Sequence, residues 1–204
     1  MEIIINFIEE NWVEIIGAIV GLLYLYYEYK ADLKMWPAGI IMSSFYTFVF
    51  IHAGFYAFAC INIYYILAGI YGWMKWYKPS DEDADTTNEM GLLHAPIQLL
   101  LPLTVATVII FGIIVFVLQT YTDSRVVYGD SFVTTISIVA MWMLAQKYVE
   151  QWLLLIVINI VSVFLYLYQD LYPTSVMYLV YSIVSVFGYL RWKKMINKEI
   201  NENI

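Results

Sequence analysis

A chain of 204 residues that is 62% hydrophobic and only 13% charged departs from soluble domains, which carry about a quarter charged residues. Its net charge of −7 provides no basic face for nucleic acid, and the single Cys60 excludes an intrachain disulfide and a thiol-based metal cluster. With a mean hydropathy of +0.73, its apolar segments read as helices spanning a lipid bilayer, because hydrocarbon cannot hydrogen-bond a bare backbone.

Seven spans are expected, at residues 11–29, 36–53, 55–76, 97–118, 131–147, 150–171 and 174–192. The segment before the first, Met1 to Glu10, lacks Lys and Arg and carries Glu2, Glu9 and Glu10, so the first span reads as a retained helix rather than a cleaved signal. Glu14 and Glu28 stand near the ends of that span, and His52 closes the second. Each is close enough to an end to reach water by snorkelling, and the lack of charge near any helix centre argues against a proton relay. The second and third spans are parted at Gly54.

In the third span, Asn62, Tyr65, Gly69, Gly72 and Trp76 recur at steps of three and four and share one helical face. Tyr178, Tyr181, Ser185, Gly188 and Trp192 do the same in the seventh. Small residues on such a face let membrane helices approach closely, so a packing stripe is the better reading for most of it. Between these spans, the stretch 79–96 carries Asp81, Glu82, Asp83, Asp85 and Glu89. It lacks the spacing of glycine and terminal glutamate that a calcium loop has and reads as a solvated linker.

Residues 152–194 echo residues 36–78 at a constant offset of 116. The identities are Trp36/Trp152, Ile40/Ile156, Phe48/Phe164, Tyr56/Tyr172, Tyr65/Tyr181, Gly72/Gly188, Trp76/Trp192 and Lys78/Lys194. Two three-helix units joined directly would face opposite ways, and one extra helix, the fourth, restores a parallel orientation. The expected fold class is an all-α integral membrane protein with seven transmembrane helices in a 3+1+3 arrangement. Its parts are a first repeat over 1–78, an acidic cytoplasmic linker over 79–96, a linker helix over 97–118, a second repeat over 131–194 and a tail over 195–204. Nine of the ten basic residues fall on one side of seven alternating spans, and Arg125 alone on the other. The positive-inside rule then sets the C-terminus in the cytoplasm and the N-terminus outside.

A side-chain amide at membrane depth needs partners, which makes Asn62 either a helix–helix contact or a ligand contact. Asn159 lies seven residues after Trp152, on the same face, and its repeat-mate Ser43 lies seven after Trp36. An aromatic ring beside a hydrogen-bonding group suits a flat polar solute. The 19 Tyr, 11 Phe and 7 Trp exceed what interfacial belts need, and negative ring faces would favour a cationic aromatic solute. No histidine pair at metal spacing, phosphate-cradling loop or nucleophile elbow is present, so neither a metal, a cofactor nor an enzyme is expected.

The run Asn62-Ile63-Tyr64-Tyr65 leading to Ile70-Tyr71-Gly72-Trp73-Met74-Lys75-Trp76, with Glu150-Gln151-Trp152, Asn159, Leu165-Tyr166-Leu167-Tyr168 and the closing Gly188 to Trp192, resembles the Pnu family of vitamin transporters. The resemblance covers nearly the whole chain and is weakest at the linker and fourth helix. It implies a fold similar to the SWEET sugar transporters, in a bacterial inner membrane. It also implies facilitated diffusion without ion coupling, and a cytoplasmic kinase that traps the vitamin by phosphorylation. The substrate would lie between the repeats, with Trp152 and Tyr65 stacking its ring and Asn62 and Asn159 bonding its polar groups; Trp36, Ser43 and Tyr46 follow from the repeat. Nicotinamide riboside is the first choice of substrate. Thiamine follows closely, since Glu28-Tyr29-Lys30 and Trp36-Pro37-Ala38-Gly39-Ile40-Ile41-Met42 are similar to that branch. Riboflavin, a sugar, or a non-transporting receptor subunit are the alternatives, and a homo-oligomer is compatible with all of them.

Overall fold

The computed structural model describes residues 20–52, 54, 56–77, 91–122 and 126–202. Expectations for Glu14, Arg125, the residues before 20 and the acidic run 78–90 lie outside them. The described chain is all helical apart from one isolated bridge. Its helices are α1 (described over 20–29), α2 (Met35–His52), α3 (Tyr56–Trp76), α4 (Leu100–Tyr121, entered through a short 3-10 turn Ile97–Leu99), α5 (Val127–Ala145), α6 (Gln151–Tyr168) and α7 (Tyr172–Glu202). Six helices are long and apolar enough to cross a membrane among the described residues.

Several boundaries differ from those expected. Helix α5 starts at Val127 rather than 131, and α7 extends beyond the expected span of 174–192, to Glu202. The last turns of α7 carry Lys, Asn, Glu and Ile with no Gly or Pro to stop them, so the helix continues past the apolar stretch. Its predecessor α6 does stop, at Tyr168, where Asp170 takes a left-handed φ of 61°.

The chain divides into two compact units, the first ending at Trp73 and the second beginning at Met74. In the first, Trp36 of α2 is buried at 1% exposure against α3, where a Cβ on Gly72 would lie 2.1 Å from its ring. In the second, Trp152 of α6 is fully buried, and a Cβ on Gly188 of α7 would lie 2.6 Å from its ring. These are the same pair of contacts at the offset of 116, and glycine is required at both because no side chain fits beneath the indole.

The correspondence extends beyond the sequence echo. Ala31 after α1 and Lys147 after α5 both have positive φ, 53° and 67°. The backbone bonds around them match in pairs: Ala31 N to Glu28 O and Lys147 N to Leu144 O at 2.9 Å, Asp32 N to Tyr27 O at 2.9 Å and Tyr148 N to Met143 O at 3.0 Å. This five-to-two and six-to-one pattern is a Schellman turn, which caps a helix through one left-handed residue. Gly54 (φ 80°) and Asp170 (φ 61°) end α2 and α6 at the same offset.

In the second unit, α4 packs against α5, α5 against α6, and α6 against α7. Helix α4 buries only Leu118 and presents Leu101, Val108, Ile109 and Phe116 outward, as a helix against lipid does. The α5–α6 turn is held from two directions. From the end of α3, the Trp76 indole N–H donates to the Leu144 carbonyl at 3.2 Å and Lys75 Nζ donates to Gln146 Oε1, while Lys147 Nζ stands 5.6 Å from the Trp76 ring centre. From the segment before α4, Leu93 N donates to Lys147 O and Val149 N to Leu93 O, both at 3.0 Å. Beside this bridge, Glu150 accepts from the Ala95 N–H at 2.8 Å and faces His94 Nδ1 at 2.7 Å, with Leu92 buried. The C-terminal part of the expected solvated linker is thus a docked strap, because an apolar Leu92 and a bridging Leu93 gain more from the turn than from water.

Candidate functional site

Each unit holds its own candidate residues. In the first, Asn62 on α3 is half-buried, and its Nδ2 donates back to the Phe58 carbonyl at 2.9 Å. One donor of its amide is thus satisfied within one turn of its own helix. Tyr65 is half-buried, with its ring 5.5 Å from that of Tyr64. On α2, Ser43 offers its carbonyl to the Thr47 hydroxyl at 2.7 Å, and Tyr46 stacks on Phe50 with ring centres 5.9 Å apart. Trp36 differs from these, since its ring is spent on Gly72.

Glu28 also belongs here, and the snorkelling expectation for it is corrected. Its side chain is buried at 3% exposure in the last turn of α1, one helical turn after Tyr24. The chain turns at Ala31 three residues later, where its N–H bonds the Glu28 carbonyl at 2.9 Å. His52, in contrast, is exposed and bonds to the Phe48 carbonyl at 3.0 Å.

In the second unit, Asn159 is buried at 7% exposure. Its Nδ2 donates to the Ser185 hydroxyl on α7 at 3.1 Å, and that hydroxyl donates in turn to the Tyr181 carbonyl at 2.7 Å. An interhelical hydrogen bond from a side-chain amide is therefore formed, and it joins two positions that the repeat pattern and the helical stripe had each marked. Trp152 meets Trp192 edge to face, with ring centres 5.5 Å apart at 86°, and Trp192 lies 6.1 Å from Trp76. Its ring leaves no open face, and its buried Nε1–H finds no hydrogen-bond partner among the described residues. Tyr166 and Tyr178 stack at 5.0 Å, and Tyr178 meets Tyr181 at 5.8 Å.

The sequence reading passed over a set of hydroxyls. Ser131 and Thr135 on α5 and Ser162 on α6 are all buried. Their signal was present, since Ser131 and Thr135 sit four apart in an apolar span, but serine and threonine are ordinary in membrane helices and draw attention only once burial is known. Among the described residues no group of three or more acidic, histidine or cysteine side chains could hold a metal ion.

The comparisons with known proteins agree in direction. The family described as nicotinamide mononucleotide transporter matches residues 11–194. The chain is 25% identical over 206 residues to the nicotinamide riboside transporter PnuC of Escherichia coli, covering 89% of this chain and 85% of that one. It is 26% identical over 191 residues to the PnuC of Haemophilus influenzae, covering 93% and 82%. It is also 25% identical over 195 residues to the riboflavin/roseoflavin transporter RibM of Streptomyces davaonensis, covering 89% and 84%. The crystal structure of the vitamin B3 transporter PnuC matches with a TM-score of 0.74 at 24% identity, covering 97% of this chain and 87% of that chain. At that identity the last likeness speaks for the fold alone.

Proposed function

Because this chain belongs to the nicotinamide mononucleotide transporter family, we propose that its substrate is nicotinamide riboside, moved by facilitated diffusion across a bacterial inner membrane. It is a multi-pass membrane transporter and not an enzyme. The observation that carries the substrate is the nearly full-length match to proteins named nicotinamide riboside transporters. A cationic ring also suits the aromatic-rich helices. Riboflavin is the second reading, favoured by the match to RibM, and thiamine remains a competitor to be tested beside them.

Each repeat contributes an aromatic group and a polar group to this reading. Tyr65 supplies a ring to stack on and Asn62 an amide oxygen, with Ser43 and Tyr46 adjoining on α2 and Trp36 fixing α2 to α3. Asn159 and the Trp152 Nε1–H provide the bonds of the second repeat. The matched Schellman turns and Trp–Gly contacts support two parallel three-helix repeats with α4 as the added helix. The basic residues support a cytoplasmic C-terminus. With no charge at the helix centres, uptake runs down a gradient, and phosphorylation by a cytoplasmic kinase would keep the vitamin inside.

The test is thermal unfolding of the detergent-purified chain with nicotinamide riboside, thiamine and riboflavin, followed by flux into liposomes. A saturable rise in Tm with nicotinamide riboside is expected through binding to the folded state, together with its equilibration across liposomes without an ion gradient. A response to riboflavin or thiamine alone would move the substrate, and binding without flux would make the protein a receptor.

A further inference from the structure

Resting on the reading above, in which the substrate is a ribosylated aromatic cation, we infer that Ser131 and Thr135 of α5 and Ser162 of α6 recognise the hydroxyls of its sugar. The three side chains are shut from solvent at 0%, 1% and 1% exposure. None of their hydroxyls has a hydrogen-bond partner among the described residues. Buried polar groups are rarely left so, because each gives up its bonds to water and receives nothing in return.

A serine or threonine in a helix has a ready remedy, a bond to the carbonyl four residues earlier. This chain uses it elsewhere: Ser44 to Ile40, Thr47 to Ser43, Thr104 to Leu100 and Thr107 to Leu103, all at 2.7–2.8 Å. The carbonyls of Val127, Ser131 and Ile158 stand in the same relation to Ser131, Thr135 and Ser162, and the bonds are not made. These hydroxyls are held ready for another partner.

Helix packing does not explain them. At the offset of 116 they correspond to Ile15, Ile19 and Tyr46, so at the first two places the other repeat is built with side chains that have no polar atom. Ser131 and Thr135 share one face of α5. Ser162 lies three residues past Asn159, on the arc of α6 that also carries Trp152 and its unpartnered Nε1–H.

A hydroxyl can donate, accept and rotate to suit, so three of them match the vicinal hydroxyls of a ribosyl group. A ring lacking a sugar presents no vicinal hydroxyls for them to match. The second repeat would thus discriminate the nucleoside from a bare aromatic cation. A carrier must open and close around its solute, and these groups would meet the sugar in the opened form.

The test uses the full chain in detergent with Thr135→Val, Ser131→Ala and Ser162→Ala, each titrated with nicotinamide riboside and with 1-methylnicotinamide, a cationic ring with no sugar. Each variant is expected to keep or raise the Tm of the ligand-free protein, since only an unbonded hydroxyl is removed. Each should need about tenfold more nicotinamide riboside for half-maximal stabilisation, the loss of a hydrogen bond to a buried partner, while binding 1-methylnicotinamide as wild type does. If 1-methylnicotinamide gives no response with wild type, the riboside affinity set against the ligand-free Tm decides alone. Equal weakening for both ligands overturns the inference. So do unchanged affinities, which internal water sites would produce, and so does a lower Tm with affinity intact. A wild-type chain that ignores nicotinamide riboside overturns the functional reading itself, and that outcome appears before any variant is made.

Discussion

Gly72 and Gly188 each give an indole the space of a side chain. Alanine at either place would set a Cβ 2.1 or 2.6 Å from Trp36 or Trp152, whose rings are buried and have nowhere to go. Each substitution should cost roughly 1–3 kcal/mol as overpacking, read as a lower Tm in detergent. Gly112→Ala on α4 meets nothing within 4 Å and should keep or raise the Tm, since alanine is the better helix former. The Asn159→Leu variant should weaken ligand binding and leave folded yield largely intact, because Ser185 keeps its own bond to Tyr181. Unchanged affinity would take Asn159 out of the site. Residue type alone marked Asn159, Trp152 and Gly188, since amides, indoles and glycines are conspicuous in an apolar span. It did not show that Trp152 is covered by Gly188 and Trp192, or that Glu28 is buried, because both depend on which helix lies alongside.

At the scale of elements, the turns carry the repeat more faithfully than the side chains do. Gly54 was legible as a break, since glycine tolerates a left-handed backbone. Ala31 and Lys147 were not, because their positive φ is imposed by the two capping bonds of each Schellman turn and not by residue type. The strap over 91–95 was likewise hidden, as its bonds reach residues more than fifty positions away. Glu150→Ala removes the acceptor of the Ala95 N–H and the partner of His94, and should loosen the strap by about 1 kcal/mol. Hydrogen exchange would report it as faster exchange at the Leu93 and Val149 amides, with those of α6 unaffected. Unchanged rates would mean that the backbone bridge and buried Leu92 hold the strap without Glu150.

At the scale of the molecule, the proposed orientation rests on the distribution of charge, and it can be tested directly. With Cys60→Ala removing the one native thiol, Asn201→Cys near the end of α7 should react with a membrane-impermeant maleimide only after the bilayer is opened. Labelling of intact cells would place that end outside and reverse the topology. Helix α4, apolar around nearly all of its girth, belongs to the same scale, since in the proposed arrangement it would join the two repeats and still face lipid. The sequence by itself determined the membrane character, the helical class, and the internal echo with its offset. Hydrocarbon thickness and the need to satisfy every backbone group act on composition and spacing whatever the packing. Only the tertiary structure decided which polar side chains already have partners and which are buried without one, because a hydrogen bond between helices depends on how segments distant in sequence come to lie side by side.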